Sequence, residues 1–316
     1  MNVGFIGLGA VGGKLAGSLL RNGISLSVFD LDGARVQEFV QRGARDGGSA
    51  AELMQYCDVV ITSLPSPAAS AAVLDEMMPH IAGKTWMEMS TTDAAQIVAQ
   101  AQAVAAAGGR AVDCPVSGGC HRAGTGNISI FAACDRPTFE QVLPLLTIMG
   151  RRVLHTGDVG TASTLKVMTN YLATANLLTC CEALVTMKAA GMDLATTYEA
   201  IRISSGTSFV HETESQLILS GSRDVDFTMD LVLKDIGLFQ RIAEENGVPL
   251  EISPEIIRIM KDGQARYGDR AQSDRIIERL EEATGLQILA DGFPQELVDD
   301  EPEERGYEVG RGLGRA

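Results

Sequence analysis

The stretch Val3-Gly4-Phe5-Ile6-Gly7-Leu8-Gly9-Ala10-Val11-Gly12 decides the fold. A short apolar run, 3–6, enters a turn with glycines at 7, 9 and 12. A helical pattern then runs to Asn22-Gly23, and a second apolar run, 25–29, ends on Asp30. In a strand–turn–helix–strand unit each residue has a task. Gly7 permits the tight turn, Gly9 lets the backbone approach a pyrophosphate, and Gly12 lets helix pack close to strand. Leu8, Ala10 and Val11 complete the turn into a helix N-terminus, whose N–H groups and partial positive charge suit phosphate. Asp30, at a strand end, is placed to accept hydrogen bonds from both hydroxyls of an adenine ribose. A 2′-phosphate there would meet its negative charge, so the spacing predicts NAD rather than NADP as cofactor.

Outward from this unit, residues 1 to about 150 alternate short apolar runs with helical patterns, which marks a parallel sheet with helices on its faces. Strands are expected at 3–6, 25–29, 58–64, 85–89, 111–113 and 128–132, and helices at 12–21, 34–41, 68–78 and 93–107. Pro65 and Pro67 close the third strand. By the switch-point rule, loops at the C-terminal strand ends face the ligand, which brings Leu64, Pro65, Ser90 and Thr91 to the cofactor. After Gly157-Asp158-Val159-Gly160 the character changes. One long helical pattern covers 162–190, and further helices are expected at 193–203, 208–219, 228–246, 253–267 and 273–284. The fold class is therefore α/β, an N-terminal Rossmann doubly wound parallel sheet plus a C-terminal all-α domain joined by a long interdomain helix. The expected boundaries are 1–160 for NAD binding, 161–289 for substrate and dimerisation, and 290–316 for an acidic C-terminal tail.

Composition bounds the partners. The 316 residues carry a formal net charge of −15, with 45% hydrophobic and 21% charged residues. This is ordinary for a globular enzyme and argues against nucleic-acid or anionic-membrane partners. The cysteines (57, 114, 120, 134, 180, 181) form no CxxC pair and no metal-ligand spacing with the histidines, so they read as reduced and mostly buried, with no metal site. The first apolar run has no basic n-region and contains the glycine turn, so it does not read as a signal peptide, and 171–187 is too short and too polar for a membrane span; a cytoplasmic protein is expected. The near-continuous apolar character of 171–187 predicts a helix buried between domains or in a subunit interface.

Two further segments carry chemistry. Asp113-Cys-Pro-Val-Ser117-Gly118-Gly119 follows a strand and leaves a hydroxyl and exposed N–H groups at its end. That suits a carboxylate ligand, although a plain turn reads the same way. Lys166 and Asn170, spaced i,i+4, share one helix face. A partly buried lysine there has its pKa lowered toward acid–base duty; the alternative is a lysine snorkelling into solvent. Lys234-Asp235, on a later helix, is by itself a charged face.

Together these pieces resemble the β-hydroxyacid dehydrogenase family, of the 3-hydroxyisobutyrate dehydrogenase-like kind, over about residues 2–285. The likeness runs through the Gly7–Gly12 turn, Leu64-Pro65, Ser90-Thr91, 113–119, Gly126-Asn127-Ile128, Lys166-x-x-x-Asn170 and Phe227-x-x-x-Leu231-x-x-Lys234-Asp235. It implies an active site in an interdomain cleft with Lys166 as the catalytic acid/base. Ser117, Gly118, Gly119 and Asn170 would hold a substrate carboxylate. Leu64, Pro65 and Thr91 would line the nicotinamide side, Lys234 would reach the cofactor, and Phe209 falls where relatives line the substrate pocket. The implied reaction is NAD-dependent interconversion of a short 3-hydroxy acid and its semialdehyde, in a homodimer or homotetramer acting on a small anionic substrate.

Two features depart from the family pattern. Thr169 stands where many relatives have a second Asn. His121 and Arg122 follow the Ser-Gly-Gly turn where relatives carry small residues; they either bind a second anionic group, such as a carboxylate or sulfonate, or face solvent. Rival readings are an imine reductase, disfavoured by the carboxylate-binding set, and a non-catalytic NAD-binding regulator, disfavoured by the retained Lys166.

Overall fold

A computed structural model describes residues 1–310. The chain divides into two compact units, one built from Met1–Lys166 with the segment beginning at Asp299, the other from Val167–Val298. Among the described residues, the first unit holds a ten-stranded sheet. Its strands are β1 (Val3–Ile6), β2 (Leu26–Phe29), β3 (Arg45–Asp46), β4 (Val59–Thr62), β5 (Thr85–Glu88), β6 (Arg110–Asp113), β7 (Val116–Ser117), β8 (Ser129–Ala133), β9 (Arg152–Gly157) and β10 (Tyr307–Glu308). They lie in the order β3-β2-β1-β4-β5-β6-β8-β9-β10, with β7 paired to β8. The first six are parallel, β8 runs antiparallel to β6 and β7, and β9 and β10 continue parallel to β8. The winding reverses between β1 and β4, the switch point at which doubly wound sheets bind ligands.

Six of the strands, β1, β2, β4, β5, β6 and β8, could be read because the sheet is covered on both faces, while β3, β7, β9 and β10 were not expected. Phe5, Val28, Val59 and Ile61 pack into one cluster with Leu15 and Leu19. Ile6, Val60 and Trp86 pack on the other face with Leu53, Met54 and Ile97. Strands buried on both sides carry unbroken apolar runs. Three helices of this unit were not expected from the sequence: Ala50–Tyr56, Gly119–Thr125 and Arg136–Met149. Glycines 119 and 124 weaken the second as a helical pattern, and Pro144 inside the third reads as a breaker. The third nevertheless carries its own start signal, Asp135 accepting the Thr138 N–H at 2.9 Å with Pro137 in the first turn.

The expected separate acidic tail at 290–316 requires correction. Residues before Asp299 belong to the helical unit, where Phe293 meets Tyr198 edge-on and Gln295 donates to the Ser220 carbonyl. From Asp299 the chain lies along the first unit as a strap. Glu303 pairs with Arg21, Glu304 with Arg151, and Glu308 with both terminal nitrogens of Arg136 at 2.6 and 3.0 Å. Gly306 donates to the Thr147 carbonyl at 2.7 Å and sits so close that a Cβ there would stand 1.9 Å from the Gly150 oxygen. The acidic run is explained by the arginines it faces, which come from distant parts of the chain. Residues 311–316 of the expected tail lie outside the described residues.

The second unit is helical throughout, with helices Leu194–Arg202, Phe209–Ser220, Met229–Glu245, Ile252–Tyr267 and Glu278–Thr284 following the long Thr161–Ala189 helix. Asp193 and Ser208 cap two of them, accepting from Thr196 N–H at 2.7 Å and His211 N–H at 3.0 Å. The long helix is not covered all round within one chain: Leu172, Thr179, Glu182 and Thr186 form an exposed stripe. No helix among the described residues is long and apolar enough to cross a membrane.

Asp274 lies wholly buried in this unit, and burial pushes its carboxyl up to about 7. Glu214 beside it is pushed up to about 8, first by burial and then by the Asp274 charge. Both shifts are upward, so the folded state binds more protons than the unfolded chain once pH exceeds the ordinary carboxylate range. Stability should therefore fall from about pH 4 until the folded groups ionise near 7 to 8, and level off above. Asp274→Asn, which cannot ionise, is expected to raise the melting temperature at pH 8 by more than at pH 5. Thermal melts across that range check this; a change independent of pH would count against a buried, protonated Asp274.

Candidate active site

The nucleotide end is built by β1, β2 and the Gly12–Arg21 helix. Gly7 has φ +94°, and a Cβ on it would lie 2.2 Å from the Ser63 carbonyl oxygen. A Cβ on Gly12 would lie 2.1 Å from the Gly7 oxygen, so both positions exclude any side chain. Gly9 is different. A Cβ there would meet only Arg35 Nη1, at 3.5 Å, which leaves its openness to a ligand rather than to internal packing. The helix begins without a side-chain cap and without an acidic residue in its first turn. Its first N–H groups and positive dipole end are thus left for an anion, and this cradle fits a dinucleotide pyrophosphate. Asp30, at the end of β2, accepts the Leu8 N–H at 2.6 Å and the Asp32 N–H at 2.8 Å. The same carboxylate expected at the ribose therefore also holds the glycine turn closed. Leu64 follows β4 half-buried, Pro65 is exposed, and Thr91 follows β5 at intermediate exposure.

Ser117 ends β7, facing Ser129 of β8, and the chain then turns through Gly118 at φ +130° and Gly119 at φ +84°. An L side chain is strained at either glycine. The next residues fold back on the turn. The His121 ring lies 2.8 Å from where a Gly119 Cβ would be, and Arg122 Cδ lies 3.6 Å from the corresponding point on Gly118. Burial, with Arg122 and Lys14 nearby, holds the His121 imidazole below its ordinary pKa against an opposing pull from Asp299. His121 is thus neutral at pH 7, and Arg122 Nη2 stands 3.4 Å from Glu301 of the strap. Asp299 accepts hydrogen bonds from Thr125 and Asn127 just beyond them. The pair is therefore one cation already facing a carboxylate, not two cations.

Lys166 is 8% exposed, in the second turn of the Thr161–Ala189 helix. That helix is fixed at its start by Asp113, the last residue of β6, which is fully buried. Asp113 accepts the Gly160 and Ser163 N–H groups, each at 3.0 Å, and the Ser163 hydroxyl at 2.7 Å. Burial raises its carboxyl pKa and these donors oppose the rise. A carboxylate at a helix N-terminus complements the dipole, and here it locks the turn preceding Lys166 to the sheet. Asn170 lies one turn beyond Lys166 on the same helix.

Within the helical unit, the Asn170 amide donates to Asp235 Oδ2, and Lys234 Nζ lies 3.0 Å from Asp235 Oδ1. Asp235 is 1% exposed, so a buried carboxylate orients both Asn170 and Lys234. Lys234, expected at the cofactor, pairs with Asp235 in its own unit. Phe209 opens the helix after the Ser208 cap and is 44% exposed. His211 is fully buried, its Nε2 2.9 Å from the Tyr198 carbonyl and its ring against the Tyr198 ring, a packing role. All six cysteines are free and buried, and burial pushes Cys134 up to about 12, so thiolate chemistry has no foothold there. No group of three His, Cys, Asp or Glu among the described residues could hold a metal.

Asp113 and Asp235 are the site residues whose roles were not read from the sequence. Asp113 was visible as a strand-end carboxylate and Asp235 as the partner of Lys234, but what each holds comes from elsewhere in the chain.

A doubly wound sheet with an uncapped glycine-turn helix, followed by a helix bearing a buried lysine, defines an NAD(P)-dependent oxidoreductase. Residues 2–157 match the model for the NAD-binding domain of 6-phosphogluconate dehydrogenase. Residues 160–280 match the NAD-binding domain of NADP-dependent 3-hydroxyisobutyrate dehydrogenase. A 2-(hydroxymethyl)glutarate dehydrogenase from Eubacterium barkeri is 31% identical over 91% of this chain and 97% of its own. An NAD-dependent L-serine dehydrogenase from Pseudomonas aeruginosa is 33% identical over 77% of this chain and 85% of its own. The crystal structure of a 3-hydroxyisobutyrate dehydrogenase from Salmonella typhimurium superposes with a TM-score of 0.81 at 26% identity, covering 88% of this chain and 99% of that one. The chain belongs to the β-hydroxyacid dehydrogenase family, of the 3-hydroxyisobutyrate dehydrogenase type.

Proposed function

We propose that the protein is an NAD-dependent dehydrogenase of a short 3-hydroxy acid resembling 3-hydroxyisobutyrate, converting it to the semialdehyde and back. The observation that carries this reading is Lys166, buried on a helix whose first turn Asp113 clamps to the sheet. Held on the Gly7–Gly12 turn with Asp30, NAD would supply the acceptor for the hydride leaving the carbinol carbon. Lys166 Nζ, neutral, takes the hydroxyl proton during oxidation; in reduction the ammonium returns it to the carbonyl oxygen. Ser117 and the Gly118 N–H hold the substrate carboxylate. Asn170, one turn beyond Lys166, has its amide oriented by Asp235. The positive charge of Lys166 stabilises the alkoxide as it forms.

Asp30 supports NAD over NADP, because its carboxylate would stand against a 2′-phosphate. Removing it also frees the Leu8 N–H, a loss common to both cofactors, so the ratio is the informative quantity. Asp30→Ala is expected to raise KM for NAD and to narrow the NAD preference about tenfold, as loss of a charge-based discrimination should. Steady-state kinetics with both cofactors check this; a parent enzyme preferring NADP would refute it.

A second reading, a hydroxy acid with two carboxylates, is favoured by Arg122 beside Gly118 and by the glutarate in the name of the Eubacterium barkeri relative. Initial rates of NAD reduction with 3-hydroxyisobutyrate, 3-hydroxypropionate, L-serine, glycerate, 4-hydroxybutyrate and 2-(hydroxymethyl)glutarate separate the two. The first reading expects the highest kcat/KM among the monocarboxylates. Highest efficiency with the glutarate selects the second, and no turnover with any of them sinks both.

A further inference from the structure

Glu88, the last residue of β5, is fully buried and has no part in the proton chemistry above. A carboxyl removed from water is costly unless its oxygens are met by donors. Donors from three residues, Ser90, Thr62 and Ser70, converge on it. The Ser90 N–H donates to Oε1 at 2.7 Å, and the Thr62 hydroxyl donates to Oε2 at 3.0 Å. The Ser70 hydroxyl also donates to Oε2. The network continues outward: Ser90 Oγ accepts the Leu64 N–H at 2.7 Å, and Thr62 Oγ1 accepts the Trp86 indole N–H at 2.9 Å. Burial pushes the Glu88 carboxyl up, and the donors oppose it.

One buried group thereby ties three elements: the end of β4, the loop after β5, and the Pro67–Met77 helix that carries Ser70. An apolar side chain would fill the same space in a sheet interior without the cost of desolvating a carboxyl. What an apolar residue would not do is fix the spacing of two loops by hydrogen bonds. The loops in question are Leu64-Pro65 and Ser90-Thr91, at the C-terminal ends of β4 and β5, on the side of the switch point where β4 adjoins β1.

We propose that Glu88 is a positioning residue for the nicotinamide end of the cofactor, acting through Ser90 to hold the Leu64-Pro65 and Ser90-Thr91 loops at the separation the ring requires. This rests on the reading that those loops line the nicotinamide side. The adenine end, on the Gly7–Gly12 turn and Asp30, is held by other bonds and is independent of Glu88.

The test compares two ligands by titration calorimetry: NADH, and ADP-ribose, which lacks the nicotinamide. Ser90→Ala cuts the link to Leu64 and the Ser90 hydroxyl's own bond to Glu88, while leaving the Thr62 and Ser70 bonds and the Ser90 N–H to Glu88. It is expected to weaken NADH about tenfold, the loss of one well-buried hydrogen bond's positioning, while ADP-ribose binds within twofold of the parent. Glu88→Ala is expected to give the same split or a larger one. Glu88→Gln, which keeps an acceptor for the Ser90 N–H, should retain NADH affinity within about threefold of the parent. Equal weakening of both ligands by Ser90→Ala would mark general loosening and overturn the proposal, as would no change in either. A Gln variant as weak as the Ala variant would also overturn it. If Glu88→Ala does not fold, Ser90→Ala decides alone. These are binding measurements, so they read out even if no hydroxy acid proves to be a substrate.

Discussion

Lys166→Ala is expected to lower kcat by about 10³-fold while NADH affinity stays within twofold of the parent, since acid–base groups contribute on the order of 10²–10⁴. The hydroxyl proton then has only water to receive it, and the alkoxide forms without an adjacent ammonium. Lys166→Arg should be nearly as poor in oxidation: a guanidinium keeps the charge but does not deprotonate in the working pH range. Agreement between the two variants would separate proton transfer from electrostatics. Asp113 holds the helix start through Gly160 and Ser163, so neither change disturbs the clamp. Stopped-flow and steady-state rates, with fluorescence titration of NADH, check these outcomes. Turnover within tenfold of the parent for Lys166→Ala would remove the lysine from the mechanism.

Gly12→Ala is expected to abolish cofactor binding, with NADH affinity falling more than about 100-fold, equivalent to roughly 2.7 kcal/mol. The added methyl would sit 2.1 Å from the Gly7 carbonyl oxygen, a backbone atom that cannot rotate away. Helix and turn must separate, and the N–H groups aimed at the pyrophosphate move with them. The fold should also lose about 1–3 kcal/mol, as overpacked interiors do, seen as a lower melting temperature. Gly9→Ala supplies the contrast. Its methyl meets only the tip of Arg35 at 3.5 Å, so stability should be unchanged. If Gly9 serves close approach of the phosphates, binding should still fail. A Gly9→Ala protein that binds NADH normally would show that the pyrophosphate does not lie over this turn.

The contrast between these glycines illustrates what could be read in the sequence. Gly7 and Gly12 are constrained by atoms a few residues away, and such local geometry repeats wherever a strand–turn–helix unit occurs. β1, β2, β4, β5, β6 and β8 were legible as short apolar runs, as in Val59–Thr62, whereas the exposed two-residue β3 (Arg45–Asp46) was not. β9, with Arg152, His155 and Thr156, has no such run and was missed. The Lys166–Asn170 pairing was legible because helix periodicity is local. The groups that hold those residues were not. Asp235 reaches Asn170 across 65 positions, and Asp113 reaches Gly160 across 47. A carboxylate's spacing does not announce which donors the fold will bring to it. The strap fails for the same reason: acidic residues from Asp299 onward look solvated until Arg21, Arg122, Arg136 and Arg151 are seen beneath them.

The most direct measurement follows a label. The best hydroxy acid of the panel, deuterated at its carbinol carbon, is incubated with NAD and the wild-type protein, and the nicotinamide is examined by NMR. Hydride transfer with Lys166 taking only the hydroxyl proton predicts NADH carrying one deuterium at C4 for each semialdehyde formed. Semialdehyde formed with unlabelled NADH would contradict it.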